Sequence, residues 1–382
     1  MHERPTGLDL PGADLPTADE PLLTDVLGAS LAALDPALPG ADDGAREALG
    51  IASDAEQLLV ILADGLGYYG MADHFGHAPT LRSMRNDIRS IHTVVPSTTA
   101  AAITAFGTGA FPGATRMVGY SVLHNYSVMN LLAFEGGPAV EDWQSVKTRF
   151  ELLAEVGVES AVVSPSSFAG SGLTRAALRG SRHVGAFSWE ERCAAALGEL
   201  RKGTRVVYLY WSDIDHAGHG HGIGSPQWVA ALEDFDRGLG SLLRRLPAGV
   251  RCVLTADHGM VNVERSDLAD LAAQPGLGAG VVAIAGETRA VHVHAELDEE
   301  DAVIERWRNE LGDRAWILVG DEIAAVIGTG PGVEVVGTAL VLMRERFGVV
   351  DSRTQSFQSI AMPGVHGSLT PEEMRIPVLQ LA

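Results

Sequence analysis

Short apolar runs alternate along the chain with segments of helical periodicity. Four of these runs are nearly continuous, as is typical of strands that are buried on both faces of a parallel sheet. The runs are QLLVIL (57–62), SAVVS (160–164), RVVYLY (205–210) and RCVLT (251–255). Segments between them, such as KTRFELLAEVG (147–157), place apolar residues along one face of a helix. The alternation predicts an α/β fold with a doubly wound, mainly parallel sheet and helices on both faces.

The alternation is interrupted between about residues 270 and 350. Strand-like pieces surround one clear helical segment there, DEEDAVIERWRNELG (298–312). We therefore predict a small α+β insertion over 270–350, which could act as a cap over the functional site. Residues 1–55, rich in Pro, Ala, Asp and Gly, are expected to form a lead-in packed on the core. The α/β core would then comprise residues 56–269 and 351–382.

The composition allows a large buried core and argues against strongly anionic macromolecular partners. The chain has 382 residues, of which 46% are hydrophobic and 20% are charged. Its 28 Lys and Arg against 49 Asp and Glu give a formal net charge of −21. Such a protein is repelled by a nucleic-acid duplex and by an anionic membrane surface. A small anionic substrate stays allowed, because bound metal ions would reverse the potential locally.

Cysteine content and apolar run lengths bear on the compartment. Cys193 and Cys252 are too few for a disulfide framework or a cysteine-based zinc motif. No apolar stretch approaches the roughly 18 residues of a membrane span. Acidic residues and prolines occupy positions 1–20, where a signal peptide needs a basic start and an apolar run. We expect a soluble, cytoplasmic protein, and the sequence leaves a homodimer open.

Acidic residues and histidines follow three of the predicted strands. In open α/β sheets, ligands bind beyond the carboxyl ends of the strands. Carboxylates gathered at that edge repel one another unless a cation lies between them. Carboxylate oxygen and imidazole nitrogen suit zinc, and also manganese or iron. The candidate ligands are Asp64, the Asp and His residues of WSDIDHAGHGHG (211–222), Asp257, His258, and His366 between two glycines.

A candidate nucleophile lies in VVPSTTAAAITAFGTG (94–109). The hydroxyls of Ser97, Thr98 and Thr99 precede an alanine-rich helical segment, so they lie at a helix N-terminus. Capping of that helix would by itself explain hydroxyl residues there. Beside a pair of metal ions, however, one of these hydroxyls could act as an alkoxide at neutral pH.

Taken in order, these motifs resemble a known group of enzymes. Asp64, PSTT (96–99), Asp215-x-x-x-His219, Asp257-His258 and Gly-x-His366-Gly are similar to the motifs of the alkaline phosphatase superfamily, in its type I phosphodiesterase/nucleotide pyrophosphatase branch. The resemblance implies an alkaline-phosphatase-like fold and two Zn²⁺ sites, with Mn²⁺ or Fe as alternatives. One ion would be held by Asp64, Thr99, Asp257 and His258, and the other by Asp215, His219 and His366. Thr99 would be the nucleophile, and Thr98 competes for that role.

The function implied is that of a dimetal hydrolase acting on a small-molecule phosphate ester. It would cleave phosphate diesters or nucleotide pyrophosphate bonds through a phosphothreonine intermediate. A phosphomonoesterase or a phosphonate hydrolase that cleaves carbon–phosphorus bonds is the alternative within the superfamily. A non-catalytic, metal-binding scaffold is the alternative from another class.

Selectivity should come from the segments between the motifs. Eukaryotic-type members carry an aromatic residue and an asparagine where this sequence has Ala100 and Ala102. The resemblance therefore supplies neither nucleobase stacking nor a side-chain oxyanion contact at these two positions. Taken singly, each candidate lining residue is more often an ordinary core or loop residue. The substrate-pocket candidates are Tyr120, Asn130, Phe134, Phe168 and Arg175.

Overall fold

The computed structural model describes residues 4–5 and 7–382 and is organised around a seven-stranded sheet. The strands are β1 Gln57–Ala63, β2 Arg89–His92, β3 Ser121–His124, β4 Ser127–Asn130, β5 Ser160–Ser164, β6 Arg182–Gly185, β7 Val206–Trp211, β8 Val250–Thr255, β9 Val261–Asn262, β10 Leu268–Asp270, β11 Val281–Glu287, β12 Ala290–Ala295, β13 Ala315–Leu318, β14 Ala339–Met343, β15 Gly348–Val350, β16 Gly364–Val365 and β17 Arg375–Gln380. The strand order in the main sheet is β2-β17-β8-β1-β7-β5-β6.

The main sheet is mostly parallel and is covered by helices. β1 pairs in parallel with β7 and β8, and β5 with β6 and β7, whereas β17 runs antiparallel to both neighbours. β7 is buried at every position, so both faces of the sheet are covered. The α/β fold with a doubly wound, mainly parallel sheet is confirmed. The helices are α1 Leu23–Leu34, α2 Asp43–Leu49, α3 Tyr68–Asp73, α4 Pro79–Ser83, α5 Thr99–Thr108, α6 Pro112–Thr115, α7 Val140–Trp143, α8 Arg149–Glu155, α9 Gly172–Leu178, α10 Trp189–Lys202, α11 Asp213–His221, α12 Pro226–Leu243, α13 Pro275–Gly278, α14 Glu300–Leu311, α15 Asp321–Ile327, α16 Gly332–Val336, α17 Phe357–Ile360 and α18 Pro371–Met374.

The N-terminal residues contribute to the core. α1 is buried along nearly its whole length and packs against α5 and β1. Ahead of it, Asp14 accepts hydrogen bonds from Arg375 at 2.7 and 2.9 Å and pairs with the ring of His92 at 3.0 Å. Glu20 accepts from Arg375 at 2.8 Å. These ion pairs tie the first residues of the chain to β2 and β17 at the edge of the main sheet.

A second, four-stranded antiparallel sheet has the order β11-β12-β14-β13. α14 covers one face of it, with Val303, Trp307 and Leu311 buried against the strands. Leu340 and Leu342 point to the opposite side, where they join a cluster with residues of the main body. The proposed division of the chain into lead-in, core and insertion stays a prediction.

A fully buried ion pair joins this small sheet to the C-terminal part of the chain. Arg289, between β11 and β12, donates to both carboxylate oxygens of Glu373 at 2.7 and 2.8 Å. Glu373 also accepts hydrogen bonds from the backbone of Ser368 at 3.0 Å and from the hydroxyl of Thr370 at 2.6 Å. All polar groups of the carboxylate are thus matched, as burial of a charge requires. No helix in the described ranges is long and apolar enough to cross a bilayer.

Candidate active site

The carboxyl ends of β1, β7 and β8 meet at one edge of the main sheet. Leu62, near the end of β1, is in register with Tyr210 of β7 and Thr255 of β8. Strands aligned in this way deliver the residues that follow them to a common point. The site candidates gathered there are Asp64, Asp215, Asp257 and His258.

Two groups of side chains at this edge offer ligand atoms that lie within 4.8 Å of one another. The first group is Asp64, Asp257 and His258, and the second is Asp215, His258 and His366. His219 joins the second group, since its Nε2 lies 3.4 Å from Oδ2 of Asp215. The structure therefore brings together the acidic and imidazole groups that the resemblance assigns to the two metal sites, whereas Asp213, His216 and His221 of the same loop belong to neither group.

Two glycines allow the close approach of these segments. Gly65 has a φ of +69°, and a Cβ there would lie 2.9 Å from Cα of Asp215. A Cβ on Gly364 would lie 2.3 Å from the carbonyl oxygen of Gly218 on α11. A side chain at either position would push the loops after β1 and β7, or α11 and β16, apart.

Each histidine of the cluster is oriented by a backbone carbonyl group. With Nδ1 as the donor, Nε2 is left with its lone pair facing the carboxylates, an arrangement common among metal-binding histidines. His219 Nε2 and His258 Nε2 lie 3.4 and 3.5 Å from their nearest carboxylate oxygens. The Nδ1 contacts are His219 to Gly364 O at 2.8 Å, His258 to Gly259 O at 3.0 Å and His366 to Ser97 O at 3.0 Å.

The electrostatics of the cluster call for positive charge. Burial raises the pKa of Asp64 well above its usual range, and the carboxylates of Asp257 and Asp215 raise it further. Burial also raises the pKa of Asp257, although His258 opposes the rise. The pKa of His366 lies well below its usual value because of burial and the neighbouring histidines. A cation between these groups would relieve both the repulsion and the desolvation.

The hydrogen bonding of the carboxylate oxygens indicates whether these residues fit a metal ion. Oδ1 of Asp64, Oδ1 of Asp215 and Oδ2 of Asp257 are buried, and no hydrogen-bond partner for them lies in the described chain. Buried polar atoms are normally paired, so each unpaired oxygen needs an explanation. Three unpaired oxygens that converge with imidazole nitrogens match the ligands of zinc, manganese or iron. The residues therefore fit a site for divalent cations.

The candidate nucleophile lies beside this cluster. α5 begins at Thr99, and Thr98 precedes it as the N-cap residue. Oγ1 of Thr99 lies 3.1 Å from Nε2 of His258, and both threonines line the cavity described below. Ala100 and Ala102, the two positions where eukaryotic-type members carry an aromatic residue and an asparagine, are fully buried. Of the two hydroxyls, that of Thr99 is the one in contact with the candidate metal ligands.

Two buried tyrosines of β7 were not singled out from the sequence. Tyr210 donates a hydrogen bond from its hydroxyl to Oδ2 of Asp64, which leaves Oδ1 of that carboxylate free. Tyr208 lies two residues earlier on the same face of the strand, and the ring centroids are 6.5 Å apart. Burial raises the pKa of both phenols well above its usual value, so both stay protonated. The signal was available, because a hydroxyl at the end of a buried strand needs a partner.

A cavity of about 830 Å³ opens beside the cluster. Three of the candidate pocket residues, Tyr120, Asn130 and Phe168, line it. Phe134 and Arg175 are not among the lining residues. Phe134 is buried and its ring packs against Trp143 at a centroid distance of 6.4 Å. The guanidinium of Arg175 is bound by Glu141 at 2.5 and 3.0 Å on the exterior.

The second sheet supplies an acidic residue that sequence reasoning missed. Glu287, the last residue of β11, lines the cavity with its neighbours 284–288. Its Oε2 lies 3.4 Å from Nδ1 of His366, and its Oε1 is buried without a partner in the described residues. Burial raises the pKa of Glu287 to about 8, although hydrogen bonding by Thr98 opposes the rise. Nothing in the local sequence GETRA marks this position as part of a site. Glu287 reaches the site because the small sheet packs against the segments that carry Thr98 and His366.

Comparisons with solved structures find the same fold in two enzyme groups. Murine ectonucleotide pyrophosphatase / phosphodiesterase 5 superposes with a TM-score of 0.68 at 17% identity, over 84% of this chain and 87% of that one. Phosphonoacetate hydrolase from Sinorhizobium meliloti 1021 gives a TM-score of 0.66 at 17% identity, over 86% and 91% of the two chains. These likenesses show that the chain shares the fold of these two enzymes. Comparison with curated proteins gives no significant sequence match.

The sequence itself carries a family signature over most of its length. The model of the family described as type I phosphodiesterase / nucleotide pyrophosphatase matches residues 58–369. That range includes every candidate metal ligand from Asp64 to His366. The predicted resemblance is confirmed, and the chain is a phosphoester hydrolase by family. It belongs to the type I phosphodiesterase / nucleotide pyrophosphatase family.

Proposed function

We propose that the protein is a metal-dependent phosphodiesterase that forms a phosphothreonine intermediate on Thr99. The observation that carries the proposal is the contact of the Thr99 hydroxyl, 3.1 Å from His258 Nε2, with a cluster that holds three unpaired carboxylate oxygens. One neighbour of the same fold is described as an inactive variant in complex with AMP, which supports a nucleotide or phosphate ester substrate. Zinc is the metal that we expect, with manganese or iron as alternatives.

The residues present fit two cations. Asp64, Asp257, His258 and Thr99 would hold one, and Asp215, His219 and His366 would hold the other. Bound divalent ions lower the pKa of a nucleophilic hydroxyl and offset the charge of a phosphoryl group.

The chain's own residues account for the positioning. Tyr210 fixes the orientation of Asp64, and the backbone carbonyls fix the three imidazole rings. The start of α5 places Oγ1 of Thr99 at the wall of the cavity, where the phosphorus of a bound ester would lie. Formation of the Oγ1–phosphorus bond expels one alcohol of the diester, and water then cleaves the phosphothreonine to release the second product.

Replacement of the nucleophile tests the proposal directly. Thr99→Ala should reduce hydrolysis of bis-para-nitrophenyl phosphate by about 10³-fold or more, because the attacking oxygen is removed. Metal content, measured by plasma mass spectrometry, should be largely retained. Thr98→Ala is the matched control, since it removes a hydroxyl one residue away and should leave most of the turnover. Equal losses in the two variants, or none in Thr99→Ala, would exclude Thr99 as the nucleophile.

A second measurement separates the proposal from its alternatives. A phosphomonoesterase would prefer para-nitrophenyl phosphate to the diester, and a phosphonate hydrolase would release inorganic phosphate from phosphonoacetate. A metal-binding scaffold would hydrolyse none of the three. Loss of activity on chelation and its return with added zinc would rule out the scaffold.

A further inference from the structure

The wall of the cavity beside the metal-ligand candidates has an unusual charge composition. Across residues 4–5 and 7–382, neither lysine nor arginine lines it. Its acidic side chains outside the ligand set are Asp213 and Glu287. His216 is the remaining imidazole in the described wall, and it lies beside the carboxylate of Asp213. Apart from the imidazole of His216, which has the carboxylate of Asp213 as a neighbour, the described wall therefore offers carboxyl groups, neutral polar groups and apolar surface.

The absence of cations from the described wall bears on the charge of the substrate. A second phosphate or a carboxylate on the substrate would lose its hydration in this cavity and gain no ion pair. The guanidinium that the sequence offered, that of Arg175, is bound to Glu141 outside the cavity. The formal net charge of −21 adds a long-range penalty for a second negative group. Among the described residues, no lysine or arginine of the wall offers an ion pair to such a group, so bound metal ions would be the main source of positive charge at this site.

The size and lining of the cavity bear on the neutral part of the substrate. About 830 Å³ is far more than a phosphoryl group fills, and it lies within the range of about 300–1,000 Å³ found for sites that hold drug-sized ligands. Ile103, Leu132, Phe168, Leu173 and Met362 contribute apolar or aromatic surface. Oε1 of Glu287 is buried with no partner among the described residues, so it is available for a hydrogen bond with a ligand.

We infer that the cavity selects a phosphodiester with a single negative charge, whose larger alcohol-derived group is bulky, uncharged and able to form a hydrogen bond. The inference rests on the proposed phosphodiesterase function and narrows its substrate class. Under this inference, nucleotide pyrophosphates and carboxylate-bearing phosphonates, which carry further negative charges, are poor substrates. A diester of an aryl or hydroxylated alcohol satisfies both the apolar wall and the unpaired Oε1 of Glu287, because a hydroxyl group can donate or accept a hydrogen bond.

A matched pair of substrates tests the charge preference in the full chain loaded with zinc. Both esters carry para-nitrophenol as the leaving group, and their second group is either meta-hydroxymethylphenyl or meta-carboxyphenyl. They are similar in size and differ by one negative charge. We expect kcat/KM for the carboxylate ester to be lower than that for the neutral ester by about tenfold or more. Equal rates, or faster cleavage of the carboxylate ester, would overturn the inference.

A charge placed on the cavity wall provides the second arm. Thr354 lines the cavity and is exposed, so a longer side chain fits there without disturbing the core. Thr354→Lys should shift the ratio of the two kcat/KM values several-fold toward the carboxylate ester. Thr354→Met, with a chain of similar length and no charge, should keep the wild-type ratio. The same shift in both variants would show that bulk rather than charge controls the preference.

Binding provides a readout that does not depend on turnover. Uncleavable phosphonate analogues of the two esters are titrated into the zinc-loaded protein by calorimetry. Tighter binding of the neutral analogue supports the inference, and equal or weaker binding contradicts it. Absence of hydrolysis of both esters, with the neutral analogue still preferred, would refute the phosphodiesterase proposal and leave the charge selectivity of the cavity established.

Discussion

Loss of the hydroxyl of Tyr210 should weaken metal binding far more than loss of the hydroxyl of Tyr208. Both tyrosines are buried on β7, two residues apart, and both line the cavity. Tyr210 donates a hydrogen bond to Oδ2 of Asp64, whereas Oη of Tyr208 is without a partner in the described chain. The two phenylalanine substitutions therefore remove the same atom from nearly the same surroundings, and only one of them removes an interaction.

The expected magnitude follows from the type of hydrogen bond. A buried hydrogen bond to a charged group contributes about 1.5–3 kcal/mol. Since about 1.4 kcal/mol is a factor of ten, Tyr210→Phe should lower zinc affinity roughly 10–100-fold, the range usual for loss of a group that orients a metal ligand. The substitution also raises the pKa of Asp64 further, because the bond to Tyr210 favours its charged form. The loss of zinc affinity in Tyr210→Phe should therefore become larger as pH falls, since the metal must displace a proton that Asp64 holds more tightly.

Competition with a fluorescent zinc chelator measures the affinity of each variant. Tyr208→Phe should bind zinc within about twofold of the wild-type protein and should be at least as stable, since a buried hydroxyl without a partner carries a desolvation cost that no hydrogen bond offsets. Equal losses in the two variants would mean that cavity packing, rather than orientation of Asp64, sets the affinity. Unchanged affinity in Tyr210→Phe would show that the hydroxyl does not hold the ligand.

Three further predictions concern stability. Glu373→Ala should cost about 3–5 kcal/mol in urea unfolding because it leaves a buried guanidinium unpaired, whereas Glu372→Ala, next to it, should cost less than about 0.5 kcal/mol. Burial raises the pKa of Asp14, but His92 and Arg375 outweigh it and lower the pKa to about 2. Its contribution is therefore present above pH 3.8 and lost as pH falls through about 2, a loss that Asp14→Asn should lack in pH-dependent unfolding. Zinc at a free concentration of about a hundred times its dissociation constant should raise the free energy of unfolding by about 2.7 kcal/mol for each occupied site. Chelation of the zinc should therefore lower the Tm measured by calorimetry.

The parts of the site that depend on local sequence were predictable. The run QLLVIL is a buried strand, and Asp64 follows it at the edge where ligands bind in such sheets. The same reasoning placed Asp257 and His258 after β8, and the structure puts them with Asp64. The alternation of strands with helices predicts that the strands are parallel, and parallel strands bring the residues that follow them to the same edge of the sheet.

The parts that depend on long-range packing were not predictable. Arg175 was predicted to line the pocket, but its guanidinium pairs with Glu141, which is 34 residues away in sequence. Phe134 has a φ of +59° and turns its ring into the core. Glu287 reaches the cavity only because the small sheet packs against the segments that carry Thr98 and His366. Hydrophobic patterning indicates which residues are buried, but it does not indicate which neighbours they find.

The same packing makes the cavity wall and a metal ligand parts of one unit. β11 supplies Glu287 to the wall, and two residues later Arg289 makes the buried ion pair with Glu373. Glu373 in turn binds the backbone of Ser368, two residues after His366. Lifting the small sheet would separate this pair and expose the buried side chains of Leu340 and Leu342, at a cost of about 3 kcal/mol or more for the two leucines, which keeps any such open form below about one molecule in a hundred. Substrate must therefore enter through the mouth of a preformed cavity, and the shape and charge of that cavity select it before the phosphoryl group reaches Thr99.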